Sequence, residues 1–119
     1  MKHYRIHQTQ GFLEGIPEDR FMTGEEGALE IMGAGYEHQI DKALLYHSNL
    51  PPDFFDLKSG ILGKIMQKFT NYRFRVAFVV RPEQVRGRFA QFVQESHLRK
   101  DFAFFFTRGD AVAWLDQLV

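Results

Sequence analysis

The chain is predicted to be a single α/β domain, and three observations predict it. Short apolar runs of strand character alternate with amphipathic stretches of helix length. After the first two strands, the connections are too long for hairpins and of the right length for helical crossovers. The apolar content also suffices for one core: 45% of the 119 residues are hydrophobic and 15% aromatic, including thirteen Phe. With 25% charged residues, this composition excludes disordered and low-complexity classes. At about 100–150 residues per domain, residues 1–119 make one unit, with no internal repeat and no dividing linker.

The elements follow in order. Tyr4-Arg5-Ile6-His7-Gln8-Thr9 alternates with period two, Gln10-Gly11 turns, and Phe12-Leu13-Glu14-Gly15-Ile16 returns, so the chain opens on a hairpin. Pro17-Glu18-Asp19 breaks it. From Gly24, residues Ala28, Leu29, Ile31 and Met32 mark a helix whose first turn carries Glu25 and Glu26, the sign that complements a helix dipole; Gly33 and Gly35 are expected to end or loosen it. Ala43-Leu44-Leu45-Tyr46-His47 is a continuous apolar run, as in a strand buried on both faces, and Pro51-Pro52-Asp53 is expected to set up a helix start. From Ser59 to Asn71, the stripe Ile61, Leu62, Ile65, Met66, Phe69 predicts an amphipathic helix.

Arg73 to Val80 then reads as a central strand, with Phe74, Val76, Phe78 and Val80 on one side and Ala77 and Val79 on the other. Val85, Phe89, Phe92, Val93 and Ser96 form a further helical stripe, Phe102–Phe106 a last buried strand, and Ala111, Trp114, Leu115 and Leu118 a closing helix begun near Asp110. The sum is a mixed, mostly parallel sheet of about five strands carrying about four helices.

Charge is balanced overall, fifteen against fifteen, but residues 1–57 are net −6 and residues 58–119 net +6. A nucleic-acid binder draws its affinity from a domain-wide positive balance, which is missing here, so nucleic acid is not an expected partner. Self-association through complementary patches remains open. There is no cysteine, which excludes disulfides and thiolate chemistry and suits a reducing cytoplasm. No apolar run approaches the ~18 residues of a membrane span, so no membrane partner is expected and the protein reads as cytoplasmic.

Most chemical motifs fail on spacing. His3 and His7 lie four apart on a strand, about 13 Å from each other and too far to share a metal. His38, His47 and His97 stand alone. Gly33-Ala34-Gly35 follows a helix instead of joining a strand to one, unlike a dinucleotide turn, and Gly63-Lys64 lacks the hydroxyl of a phosphate loop. Asp53 and Asp56 sit beside Pro52 at a helix start, a place for capping more than for acid–base work. No catalytic residue, metal or cofactor is expected.

One segment resists a purely structural reading. On the wheel set by the Ile61–Phe69 stripe, Gly60, Gly63 and Gln67 face outward, and an exposed glycine in a helix interior costs about 1 kcal/mol relative to Ala. Close approach of another backbone would offset that. Ser59, beside Lys58, precedes them at the expected first turn. Its hydroxyl can cap the helix, or it can accept a phosphate, which free amides and the helix dipole would stabilise while it added about two negative charges to a contact surface. The expected interaction surface is therefore Asp53, Asp56, Lys58, Gly60, Gly63 and Gln67 around the phosphoacceptor candidate Ser59. A second candidate is a small-ligand or lipid pocket lined by Phe102–Phe106 and Trp114.

Asp53-Phe54-Phe55-Asp56-Leu57-Lys58-Ser59-Gly60, continued by Gln67-Lys68-Phe69-Thr70-Asn71-Tyr72-Arg73, resembles the signature of a mostly bacterial family, the domain of unknown function 4180. Glu95-Ser96 and Ala111-Val112-Ala113-Trp114-Leu115 fit its C-terminal pattern. Ser59 stands where that family commonly has Thr, and His97-Leu98-Arg99 where it has an Asn-Arg-Gly-like turn. The element order is also similar to that of the STAS domains, the anti-anti-sigma factors. In those, a strand is followed by Asp-Ser-Ser/Thr-Gly-Leu, and the hydroxyl before the Gly is phosphorylated by a partner kinase that is also an anti-sigma factor. Asp56, Ser59, Gly60 and Ile61 correspond, with Leu57-Lys58 supplying two residues where the motif has one. The resemblance implies a STAS-like, non-enzymatic interaction module whose partner is a protein, such as an anti-sigma-like kinase.

Overall fold

The structure is a computed structural model describing residues 3–97 and 99–118. Leu98, in the segment that departs from the family pattern, lies outside the described residues. So do Met1, Lys2 and Val119.

Five strands form one sheet in the order β1-β2-β3-β4-β5: β1 (Tyr4–His7), β2 (Phe12–Gly15), β3 (Lys42–Tyr46), β4 (Arg75–Val79) and β5 (Phe102–Phe105). β1 and β2 are the expected antiparallel hairpin, and every later neighbour pairs in parallel. The helices are α1 (Glu25–Glu37), α2 (Ile61–Asn71), α3 (Gly87–Ser96) and α4 (Arg108–Gln117). The chain is thus the predicted α/β domain with a five-stranded mixed sheet and four helices.

Register decides which side chains meet. Leu13, Ala43, Val76 and Phe102 stand opposite one another across the parallel strands. With Leu45 and Phe78 they face a core filled by Ile31 of α1, Ile65 and Phe69 of α2 and Phe89 of α3. Alternation turns Phe12, Leu44, Ala77 and Val79 to the other face, against Ala111 and Leu115 of α4. The three crossover helices therefore cover one face, and α4 packs on the other. Lys42 reaches from β3 to the C-terminal end of α4, donating to the carbonyls of Leu115 (3.0 Å) and Leu118 (3.3 Å). There its charge complements the dipole.

Several boundaries differ from expectation for local reasons. α1 does not stop at Gly33 or Gly35 but runs to Glu37. Gly35 is a packing residue: a Cβ there would lie 2.5 Å from the Ile40 carbonyl oxygen and 2.8 Å from the Phe74 ring. Pro51-Pro52 opens no α-helix. Three short 3-10 turns, His47–Asn49, Pro52–Phe55 and Leu57–Ser59, carry the chain from β3 to α2. α2 then starts at Ile61 and not at Ser59, because Gly60 has φ +78° and interrupts the helical backbone. α4 begins earlier than Asp110, since the Thr107 hydroxyl accepts the Asp110 amide (3.1 Å) and caps the first turn.

Candidate functional site

The predicted surface is held by two buried anchors. Asn49 is fully buried; its side chain accepts the Tyr46 amide (2.8 Å) and donates to the carbonyls of Ile16 (2.8 Å) and Asp19 (2.9 Å). This ties the end of β3 to the loop after β2. Phe54, also fully buried, sets its ring 5.4 Å from Phe78 of the sheet and in edge contact with Phe55 and Phe89. Between this apolar plug and the Leu62–Ile65 stripe, the intervening residues are pushed to the surface.

Asp53, Asp56, Lys58, Ser59, Gly60, Gly63 and Gln67 are all exposed, and for Gly63 and Gln67 within α2 this is the outward face that the helical stripe predicts. The Asp56 carboxylate accepts the Lys58 amide (3.1 Å), the expected capping role. Asp53 contributes its carbonyl instead, accepting the Asp56 amide (3.1 Å). The Ser59 hydroxyl lies 2.8 Å from the carbonyl oxygens of both Asp53 and Asp56, and accepts the Ile61 amide (3.2 Å). It closes the turn and covers one amide of α2. Among the described residues, no backbone acceptor takes the Leu62 or Gly63 amides outside the helix's own ladder, which leaves them at the positive end of an eleven-residue helix.

The two glycines have different reasons. Gly60 is fixed by its left-handed backbone, which removes the helix-interior argument for it. Gly63 is helical, and a Cβ there would meet nothing within 4 Å, so its cost is unexplained by packing inside the chain. Two grooves border this surface. One, of about 390 Å³, lies between Pro52, Phe55 and Asp56 and the segment Glu83, Gln84, Arg86. The other, of about 450 Å³, runs along Leu57, Arg88, Gln91, Phe92 and Glu95.

The Phe-rich strand is packed on both sides. Phe102 and Phe104 stack on Phe92 and Phe78 (5.8 and 5.0 Å between centroids), and Phe105 lies against Trp114 (5.9 Å). An open apolar groove of about 390 Å³ occurs elsewhere, beside α1, lined by Leu29, Met32, Gly33, Tyr36, Ile40, Tyr72 and Phe74, with Tyr36 87% and Tyr72 65% exposed.

Sequence reasoning missed a polar cluster under α4. Glu14, only 6% exposed, receives Arg108 through two bonds (2.9 and 3.0 Å), the Tyr46 hydroxyl (2.5 Å) and His7 Nε2 (2.8 Å). Burial alone would raise its carboxyl, but the bonds from Arg108, Tyr46 and His7 outweigh it and hold the group at about 2. Burial and the adjacent carboxylate push Tyr46 up to about 12. Near neutral pH, Glu14 is therefore an ionised acceptor with both oxygens occupied and Tyr46 a protonated donor. The arrangement clasps β1, β2, β3 and α4 together and leaves no free base. The available signal was a lone carboxylate inside the apolar run Phe12–Ile16.

A family model described as a domain of unknown function, DUF4180, matches residues 7–115. The chain belongs to this family. No curated protein and no solved structure matches the chain. Among the described residues, no helix is long and apolar enough to cross a membrane, and no group of three His, Asp or Glu is placed to hold a metal ion.

Proposed function

We propose that this member of the DUF4180 family is a non-enzymatic protein-interaction module, a STAS-like bacterial regulator acting in the cytoplasm. Its contact surface is the turn and helix start from Asp53 to Gln67, and Ser59 is its switch. The observation that carries this reading is the exposed Ser59 just ahead of α2, followed by open amides and by Gly63, whose missing side chain leaves the helix backbone approachable. A layer of crossover helices on one face, with the hydroxyl ahead of a helix that follows a strand, supports the STAS-like comparison. The three 3-10 turns between β3 and α2 make the connection longer than in that motif.

Phosphorylation would act twice. It would remove the hydroxyl proton that closes the turn onto Asp53 and Asp56, and it would place a dianion against the α2 amides, beside the exposed Lys58 and Lys64. An anti-sigma-like kinase is the partner class that such a switch suits.

The test uses immobilised protein in extract of its native cells. A partner retained by wild type and by Ser59→Ala but lost with Ser59→Asp supports the switch. Equal retention by all three removes it. A second reading, an apolar small-ligand or lipid binder, is favoured by the Tyr36–Tyr72 groove; saturable binding of a fluorescent fatty acid, abolished by Tyr36→Ala, would establish it.

A further inference from the structure

We propose that the groove beside α1 binds a small amphiphilic organic cation, an alkylamine or quaternary ammonium free in solution, with its apolar body against Met32 and Phe74 and its charged head at Tyr36, Glu37 and Asp41. The proposal rests on the second reading above, that this groove takes a small apolar ligand, and it adds the sign of the ligand's charge.

The groove has two compartments. The first, of about 390 Å³, has a floor of the buried Met32, Ile40 and Phe74 and is lined by Leu29, Tyr36 and Tyr72, three of the four large hydrophobic side chains that are exposed among the described residues. The second, of about 530 Å³, lies at the C-terminal end of α1 and is lined by Gly35, Tyr36, Glu37, Gln39, Ile40 and Asp41. Tyr36, Ile40 and Asp41 line both, so an apolar compartment opens into an acidic one. Each is of a size for a small molecule. Gly33 also lines the first compartment. It is exposed inside α1, where glycine costs stability relative to Ala, and a Cβ there would meet nothing within 4 Å. Packing within the chain does not call for this glycine, whereas room for a ligand against the helix does.

The charge of the occupant follows from what lines the groove. Glu37 and Asp41 are there, and no basic side chain lines either compartment. Glu37 stands in the last turn of α1, where the helix dipole disfavours an anion and no basic residue offsets it. It has no ion-pair partner among the described residues. Asp41 receives Arg75 on both oxygens (3.1 Å each), yet its side chain stays 60% exposed, and each carboxylate oxygen has a second lone pair to offer. Of the other nearby cations, Lys68 is paired with Glu25 (3.5 Å), and Arg73, next to Tyr72 in the chain, lines neither compartment. Tyrosine rings present negative faces, which attract a cation as the carboxylates do. An anionic amphiphile would meet repulsion from all of these groups, and a phospholipid headgroup would bring its phosphate along with its amine. A free amphiphilic cation meets complementary charge at one end and apolar surface at the other.

Isothermal titration calorimetry of the purified full chain with octyltrimethylammonium, octanoate and 1-octanol tests the proposal. The ammonium should bind saturably, one per chain, and about tenfold or more tighter than either of the others. Glu37→Gln should weaken the ammonium by about threefold or more and leave octanol unchanged. Tyr36→Leu keeps an apolar side chain without the ring face and should weaken the ammonium about fivefold. Gly33→Leu should fill the groove and abolish binding with unchanged far-UV circular dichroism. The groove shares no residue with the Ser59 patch, so Ser59→Asp should bind like wild type. Octanoate or octanol bound as tightly as the ammonium would overturn the proposal and leave the apolar-ligand reading standing, whereas no saturable binding of any of the three would remove both. Ammonium binding that neither Glu37→Gln nor Gly33→Leu alters would overturn it as well.

Discussion

Replacing Glu14 by Gln keeps the shape of the buried side chain and removes its charge, so it isolates what the clasp contributes. The folded carboxyl sits at about 2 against an ordinary value of 4.5. At 1.36 kcal/mol per unit, the difference corresponds to about 3 kcal/mol of stability near neutral pH. Arg108 is about half exposed, and water screens part of its contribution, so a loss of about 2–3 kcal/mol is expected. The folded value is depressed, so this stability is present above pH 4.5 and is lost as pH falls toward 2. By pH 3, about 2 kcal/mol of it is gone. Urea unfolding of wild type and Glu14→Gln at pH 7 and pH 3 measures both quantities, and taking the difference between the two proteins cancels the other carboxylates. A gap below about 0.5 kcal/mol at pH 7, or one that does not shrink at pH 3, would refute the argument.

Two glycines in helices should respond with opposite signs. Gly63→Ala fills open space in α2 and should raise stability by about 0.5–1 kcal/mol, seen as a higher urea midpoint, while reducing partner retention in the extract experiment. Gly35→Ala forces a methyl against the Ile40 carbonyl and the Phe74 ring and should cost about 2 kcal/mol or more by the same measurement.

The fold was legible where a pattern repeats within one element. The Ile61–Phe69 stripe located α2 and correctly put Gly63 and Gln67 outside, and the apolar runs around Leu44, Ala77 and Ala103 located β3, β4 and β5. What stayed hidden depends on partners far along the chain. Glu14 meets Tyr46 32 residues away and Arg108 94 residues away, and Asn49 meets carbonyls 30 and 33 residues back. Nothing in a local window distinguishes those side chains from solvated ones. Gly60 was misread for a different reason: a glycine required by a left-handed backbone and one left bare for a partner look alike in sequence. Only the φ angle separates them, and it shifts the weight of the argument onto Gly63.

The Asp53–Gln67 surface is exposed while the long-range polar groups of the fold are committed elsewhere. With all three crossover helices on one face, the other face depends on α4 alone. That helix is fixed at its N-terminal end by Arg108 on Glu14 and at its C-terminal end by Lys42. Arg108 is thereby drawn across toward β2. At the carboxyl end of β3, Asn49 and Phe54 anchor a long irregular crossing and place Ser59 just ahead of α2, where the residue is exposed. The clasp and the anchors are buried and long-range, so they set the geometry. The exposed Ser59, the open α2 amides and the bare Gly63 are what that geometry presents to other molecules.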